Sequence, residues 1–339
     1  MAAKHLVLCT SILGVMAAAP LARADWPGTL SDTSPTLQTA PDTEPMSLTP
    51  AMPTAAPQAA ADKNQPAMMD AAPAEPTTPQ IHGFFESQFK TAYITPRGLV
   101  VQDKGLVVQP VGGIVIDAYD GTGLLDNIAV IGGQWSSIDT AEDNSSVGYY
   151  DETDPFGEVD TKWLDSKLEV SVTYVAFISP QDAYKTEHNI ETKVGFDDTD
   201  YLHAFALHPY MKFFYEVKGD STVVTGRRGN TYDFEIGGAP SYTLKTFADY
   251  PITISLPTFF TVGPHNFWGG SQDFGTFQTA LSLSMPLTFI PVRYGYWHLD
   301  GSFTYIYEIN HELRTAADIL GNGTDPSRFV GEVGIGMNF

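Results

Sequence analysis

Arg328-Phe-Val-Gly-Glu-Val-Gly-Ile-Gly-Met-Asn-Phe339 alternates apolar and polar residues up to the last position of the chain. Phe329, Val333, Ile335, Met337 and Phe339 share one parity; Arg328, Glu332, Gly334, Gly336 and Asn338 share the other. Successive side chains of a β-strand point to opposite faces, so this stretch reads as a strand with one oily and one wet face. Working backward, Phe277, Leu281, Leu283, Met285, Leu287 and Phe289 stand opposite Gln278, Ala280, Ser282, Ser284 and Thr288. Trp297, Leu299, Phe303, Tyr305 and Tyr307 stand opposite His298, Asp300, Ser302, Thr304 and Glu308. The period of two begins at Ile81 and persists to Phe339, which makes 81–339 an all-β unit.

A soluble sandwich also has one apolar and one polar face per strand. Three features favour a membrane wall. Many runs approach the roughly ten residues that cross a bilayer when tilted. Tyr93, Tyr119, Trp135, Trp163, Tyr210, Tyr242, Tyr250, Phe289 and Tyr294 gather near strand ends, where amphipathic rings suit the headgroup layer. Short connections alternate with long acidic ones. The reading is therefore an antiparallel transmembrane β-barrel. Strands are expected near 83–94, 106–119, 127–137, 158–164, 167–179, 189–196, 209–218, 230–242, 251–262, 275–289, 294–308 and 328–339. Asp165-Ser166 is a tight-turn pair; splitting a long run there gives about twelve strands, an even number that puts both termini on one side. The long connections 138–157, 219–229, 263–274 and 309–327 then share the other side.

Ahead of this unit, residues 1–24 carry Lys4 and His5, an apolar core from Leu6 to Ala19, and Ala22-Arg-Ala24 before Asp25, the pattern of a cleaved export signal. Residues 25–80 are dominated by Pro, Ala, Thr and Ser, as in Pro73-Ala-Glu-Pro76, and carry too little apolar surface to offset ordering entropy. A disordered periplasmic segment is expected there, either a spacer or a tether in contact with the cell wall. The single cysteine, Cys9, lies in the leader, which leaves the exported chain without disulfides, thiol chemistry or cysteine-held metals. A net charge of −22 argues against a nucleic-acid partner, which needs clustered Lys and Arg. The expected location is the outer membrane of a Gram-negative cell, in contact with its lipid and lipopolysaccharide.

Glu332, Gly334, Met337 and the terminal Phe339 are similar, in position and spacing, to the C-terminal targeting signal of outer-membrane barrels. That resemblance implies recognition by the barrel-assembly machinery. More loosely, 84–339 resembles the TorF-like group of putative porins. The likeness rests on Phe89-Lys-Thr-Ala-Tyr-Ile-Thr-Pro-Arg-Gly98, Val108-Gln-Pro110, Gly157-Glu-Val-Asp160 and His208-Pro-Tyr210. The group implies a channel; no catalytic residues come with it, and the Pro/Ala-rich segment is no part of it.

If one face meets lipid, the polar parity carries any function. It includes Glu86, Lys90, Asp117, Glu169, Lys193, Lys212, Glu216, Asp233, Glu235, Asp300 and Glu332 as candidate pore-lining residues, with acids in excess. One reading is a porin-like channel for passive diffusion of small polar solutes or ions, favouring cations because acidic rings do so in other channels. The competing reading is a non-conducting structural or adhesive barrel filled by paired charges. In the acidic stretch after Trp135, Asp151, Asp154 and Glu158 are candidate calcium ligands in a loop, since hard cations take oxygen donors. No other cofactor is indicated. A lipid-modifying enzyme is the remaining class, but no histidine sits in a nucleophile–base pattern, and His298 has inward parity. Asn266-Phe-Trp-Gly-Gly270 reads as a loop turn, not a phosphate cradle.

Overall fold

The computed structural model describes residues 80–141, 149–218, 231–244, 251–265 and 267–339. The expected leader and all but the last residue of the Pro/Ala-rich segment lie outside the described residues, as do Glu142 and Asp143 of the acidic stretch. The strands are β1 (Gln80–Lys90), β2 (Tyr93–Ile94), β3 (Val100–Gln102), β4 (Val107–Asp120), β5 (Leu125–Asp139), β6 (Tyr150–Trp163), β7 (Leu168–Phe177) and β8 (Glu187–Phe196). They continue as β9 (Pro209–Lys218), β10 (Tyr232–Gly238), β11 (Ser241–Leu244), β12 (Ile252–Ser255), β13 (Thr258–Val262), β14 (Phe274–Pro286), β15 (Tyr296–Glu308) and β16 (Ser327–Asn338). Two short helices are α1 (Thr199–Leu202) and α2 (His311–Ile319).

The wall is a closed antiparallel barrel of twelve strands, as expected. β10 and β11 together make one staff of the wall, and β12 and β13 another, each interrupted at a proline, Pro240 and Pro257. Proline offers no backbone donor to a ladder, so the strand breaks there and resumes. Closure comes from β1, which pairs with β4 on one side and β16 on the other. Gly83 and Phe339 complete that seam by exchanging two backbone hydrogen bonds of 2.7 and 2.9 Å. Both ends of the barrel segment therefore sit on one rim, here the terminal rim. The connections 91–106, 178–186 and 309–326 fall at the far rim, and so do the strand ends Asp139, Tyr150, Lys218, Tyr232, Val262 and Phe274. The Asp165-Ser166 turn forms as read: Leu164, Asp165 and Ser166 all take positive φ, and the Ser166 amide donates to Asp126 Oδ2 at 2.7 Å.

Burial is inverted relative to a water-soluble domain. Ile114, Phe303 and Phe329 expose 55, 56 and 57% of their surface, while Glu86, Asp154 and Glu169 on the inner parity are buried. Fully hiding one such apolar side chain from water stabilises by about 2 kcal/mol, so a ring of them left in water would cost more than a domain's net stability. An apolar surround removes that cost.

Two expectations are corrected. The first strand does not run to 94; β1 stops at Lys90, and 91–106 turns into the barrel as the β2–β3 hairpin. Arg97 and Val100 there are buried, and Gly98 turns the tip with φ 94°. Tethers from the wall hold it: Gln278 Nε2 donates to Pro96 O at 2.7 Å, and Asn322 Nδ2 donates to Val100 O at 2.9 Å. The interior is also not uniformly polar. Phe84, Val111, Val115, Ile131, Trp135 and Phe156 form an apolar seat against which Tyr93 and Val101 pack. Secondly, half of the expected loop 138–157 is wall, because β5 reaches Asp139 and β6 begins at Tyr150. Pro155 is tolerated within β6 because the ladder to β7 is interrupted there: Thr153 makes an isolated bridge to Ile178, and regular pairing resumes at Phe156.

Neighbouring glycines on β5 test which way the wall faces. A Cβ at Gly133 would lie 2.6 Å from Gly112 O and 2.5 Å from the Phe156 ring, whereas one at Gly132 meets nothing within 4 Å. Gly133→Val should lower the unfolding free energy by about 1–3 kcal/mol, the usual cost of overpacking. Gly132→Val should leave the urea midpoint of the detergent-folded barrel unchanged or slightly raised.

Candidate functional site

All the residues chosen by parity reach the inside of the wall, and β-pairing sorts them into groups. On β7–β10, Lys193 and Lys212 stand directly opposite each other in the β8–β9 register. Like charges so placed repel, and carboxylates relieve it. Lys193 Nζ lies 3.7 Å from Glu169 Oε1, and Lys212 Nζ lies 3.3 Å from Glu235 Oε1. Tyr210 stands between them, its ring 5.5 Å from each ammonium and its hydroxyl donating to Glu235 at 2.8 Å. Glu158 accepts from Thr173 Oγ1 at 2.6 Å on the same side.

A second group spans β1, β15 and β16. Lys90 Nζ pairs with Glu332 at 3.3 Å, Gln88 Nε2 donates to Glu86 at 2.8 Å, and His298 lies 3.2 Å from Asp300. The glycines of the final strand make room for it. A Cβ at Gly334 would meet Glu86, Asp300 and Gln88 between 3.5 and 3.7 Å, and one at Gly336 would overlap the His298 ring. Asp117 lies apart, at the terminal rim, 2.9 Å from His82.

Glu216 and Asp233 belong to a third group, organised by a residue that parity did not pick. Arg97, at the tip of the inner hairpin, lies 4.0 Å above the Phe214 ring and within 6 Å of Phe177 and Phe267. Burial pushes its guanidinium down to about 10, while Asp233, Glu187, Glu216 and Glu152 act to raise it. It therefore stays charged at neutral pH. The only sequence signal for Arg97 was the Pro96-Arg97-Gly98 turn; nothing local says that the turn points inward. Beside the hairpin, a cavity of about 140 Å³ is bounded by Gln88, Lys90, Tyr93, Gln109, Glu235, Gln278 and Glu332.

Asp151, Asp154 and Glu158 are placed on a strand of the wall rather than in a loop. Asp151 and Asp154 are fully buried, and Glu152 accepts from the Tyr93 hydroxyl at 2.8 Å. Among the described residues, the group with metal-like ligand spacing lies elsewhere: Asp197, Asp198 and His208, on the terminal rim, with ligand atoms within 4.8 Å of one another. These side chains are already engaged with the backbone. Asp197 accepts the Thr199 amide at 2.9 Å and faces His208 Nδ1 at 3.4 Å. Asp198 accepts the Leu207 and His208 amides at 3.0 and 2.9 Å. They form a clasp that closes the connection 197–208.

No family model matches the chain, and no curated protein does. Solved structures with a similar course of chain include an outer-membrane channel from Pseudomonas putida F1, at 13% identity and a TM-score of 0.41, covering 82% of this chain and 100% of that one. The NanC porin follows at 9% identity and 0.39, covering 75% and 98%. OmpF of Salmonella typhi, solved with daunomycin, matches at 9% and 0.33, covering 77% and 97%. Likenesses this distant carry no argument about what the barrel does.

The clasp has a pH signature. Burial raises the Asp197 carboxyl, but hydrogen bonds from His208 and Thr199 outweigh it and hold the group below its ordinary range. A carboxyl depressed on folding stabilises above its unfolded pKa and loses that contribution as pH falls through the folded value. Asp197→Asn should therefore cost about 1–2 kcal/mol at neutral pH. The difference from the parent should vanish in acid once Asp197 is protonated, as read from urea midpoints across pH.

Proposed function

We propose that this barrel is an outer-membrane channel through which small polar solutes and ions diffuse, with cations favoured. The observation that carries the reading is the pairing of an apolar exterior with an inner wall in which buried carboxylates outnumber ammonium and guanidinium groups. Twelve strands about 4.8 Å apart, tilted by about 40°, enclose a backbone cylinder of about 12 Å radius. Side chains and the inner hairpin narrow this, and the open space beside the hairpin is the path we assign to solute. Acids around that path raise the local concentration of cations. In this reading residues 1–24 are the cleaved export signal and 25–80 a periplasmic spacer. Glu332, Gly334, Met337 and Phe339 are read by the assembly machinery, and lipid and lipopolysaccharide surround the wall.

A second reading is supported by the hairpin itself. With Arg97 locked among three aromatic rings and Asn322 bonded to Val100, residues 91–106 could serve as a fixed plug, leaving a structural barrel.

Planar-bilayer recording separates these readings. The purified barrel in a KCl gradient should show single-channel steps with a reversal potential on the K⁺ side. Glu235→Gln with Glu332→Gln, which line the space beside the hairpin, should cut the cation-over-anion permeability ratio by about twofold or more. Barrels that insert with correct topology yet stay silent would overturn the channel reading. Steps that appear only after the 95–99 tip is shortened would establish the plug instead.

A further inference from the structure

We infer that the connection between β8 and β9, residues 197–208, is a foot that lies in the headgroup layer of the leaflet at the terminal rim and contacts lipid. The inference rests on the membrane reading of the wall.

The terminal-rim turns at 121–124 and 164–167 are tight. The 197–208 connection is longer and carries its own structure, α1 followed by a single helical turn at His203–Phe205. Its polarity is inverted as the wall's is. Tyr201, Leu202, Phe205 and Leu207 point outward, with Phe205 82% exposed. Two of its three acids go the other way, and the third, Asp200, is exposed but paired. Asp197 and Asp198 are buried in the clasp, where they bond backbone amides, and Asp200 is held by Lys167 Nζ at 2.6 Å from the neighbouring turn. A connection bathed in water would expose its carboxylates and hide its aromatic rings. This one hides or pairs all three carboxylates and presents the rings.

The apolar surface is also continuous with the wall. The Tyr201 ring stacks on Phe196, the last residue of β8, with centroids 6.0 Å apart. Val194 and Met211, below it on β8 and β9, face outward and are exposed. The Ala239 amide bonds Leu207 O at 2.8 Å, which ties the far side of the foot to the wall. Tyrosine at the edge of an apolar belt suits the headgroup layer, with its ring toward the chains and its hydroxyl toward water. Lipid fits better than a second copy of the chain. The patch continues directly, through Phe196, Val194 and Met211, into the outward belt that lipid covers in the membrane reading.

Spin-label accessibility in phosphatidylcholine vesicles tests the assignment, using the full chain with Cys9→Ser. Nitroxides go at Phe205→Cys and, as a second position should one fold poorly, at Leu202→Cys. Phe303→Cys on the wall is the belt reference and Gln181→Cys at the far rim the aqueous one. Both foot labels should collide more with oxygen than with a water-soluble nickel chelate, as the Phe303 position does. A nickel preference matching position 181 would overturn the foot. So would labels that neither reagent reaches, because protein would then cover the patch. If the Phe303 position itself reads as aqueous, the membrane reading fails first and the foot with it.

Discussion

The whole arrangement depends on the backbone ladder having no open edge. An unpaired N–H or C=O in an apolar medium costs several kcal/mol, and a strand edge presents a row of them. Here the seam is β1 against β16, ending in the reciprocal pair between Gly83 and Phe339. Once that seam exists, the outer parity is free to be purely apolar, because no backbone polar group remains to be served there. The same closure forces the other parity into a confined interior, where charge must be balanced locally. Polarity inside and oil outside follow from one topological fact.

Balance inside is achieved by register. Lys193 opposite Lys212 would repel, yet the neighbouring strands bring Glu169 and Glu235 to each and place Tyr210 between them. At the last strand it is absence of side chain that matters. Gly334 and Gly336 leave the volume that Glu86, Asp300 and His298 occupy. The alternation of glycine with large apolar residues near Phe339 thus serves two faces at once: bulk outside, vacated space inside. A side chain at Gly336 would disturb the charged cluster through the His298 ring without touching the outer face.

The sequence was most legible where a physical rule is local. Parity depends only on neighbours, and the face it picks out is the one on which Glu86, Glu169, Lys212 and Asp300 are buried. Strand count was legible through the Asp165-Ser166 turn. Two things were not. Phe89-Lys-Thr-Ala-Tyr-Ile continues an acceptable alternation past Lys90, so nothing local ends β1 there. What ends it is the apolar seat of Phe84, Val111, Trp135 and Phe156, drawn from separate strands, which receives Tyr93 from the hairpin. The acidic run around Asp151 reads as a loop because its charge density resembles solvated surface. Its membership in β6 depends on pairing with β5, from Ser137–Glu152 through Gly132–Gly157, which no pattern within 150–158 announces.

Those two failures share a cause that bears on the proposed path. The hairpin and the acidic part of β6 meet: Tyr93 bonds Glu152, and Arg97 sits among acids drawn from β6, β8, β9 and β10. A single buried guanidinium surrounded by several carboxylates is held by the field of all of them rather than by one partner, and Phe214 fixes its height by stacking. The hairpin tip is therefore positioned by charge, and Glu235 and Glu332 line the space beside it. In the proposed channel, the element that narrows the path and the charge that selects among ions would be parts of one contact. Size and selectivity would then change together whenever that contact is altered.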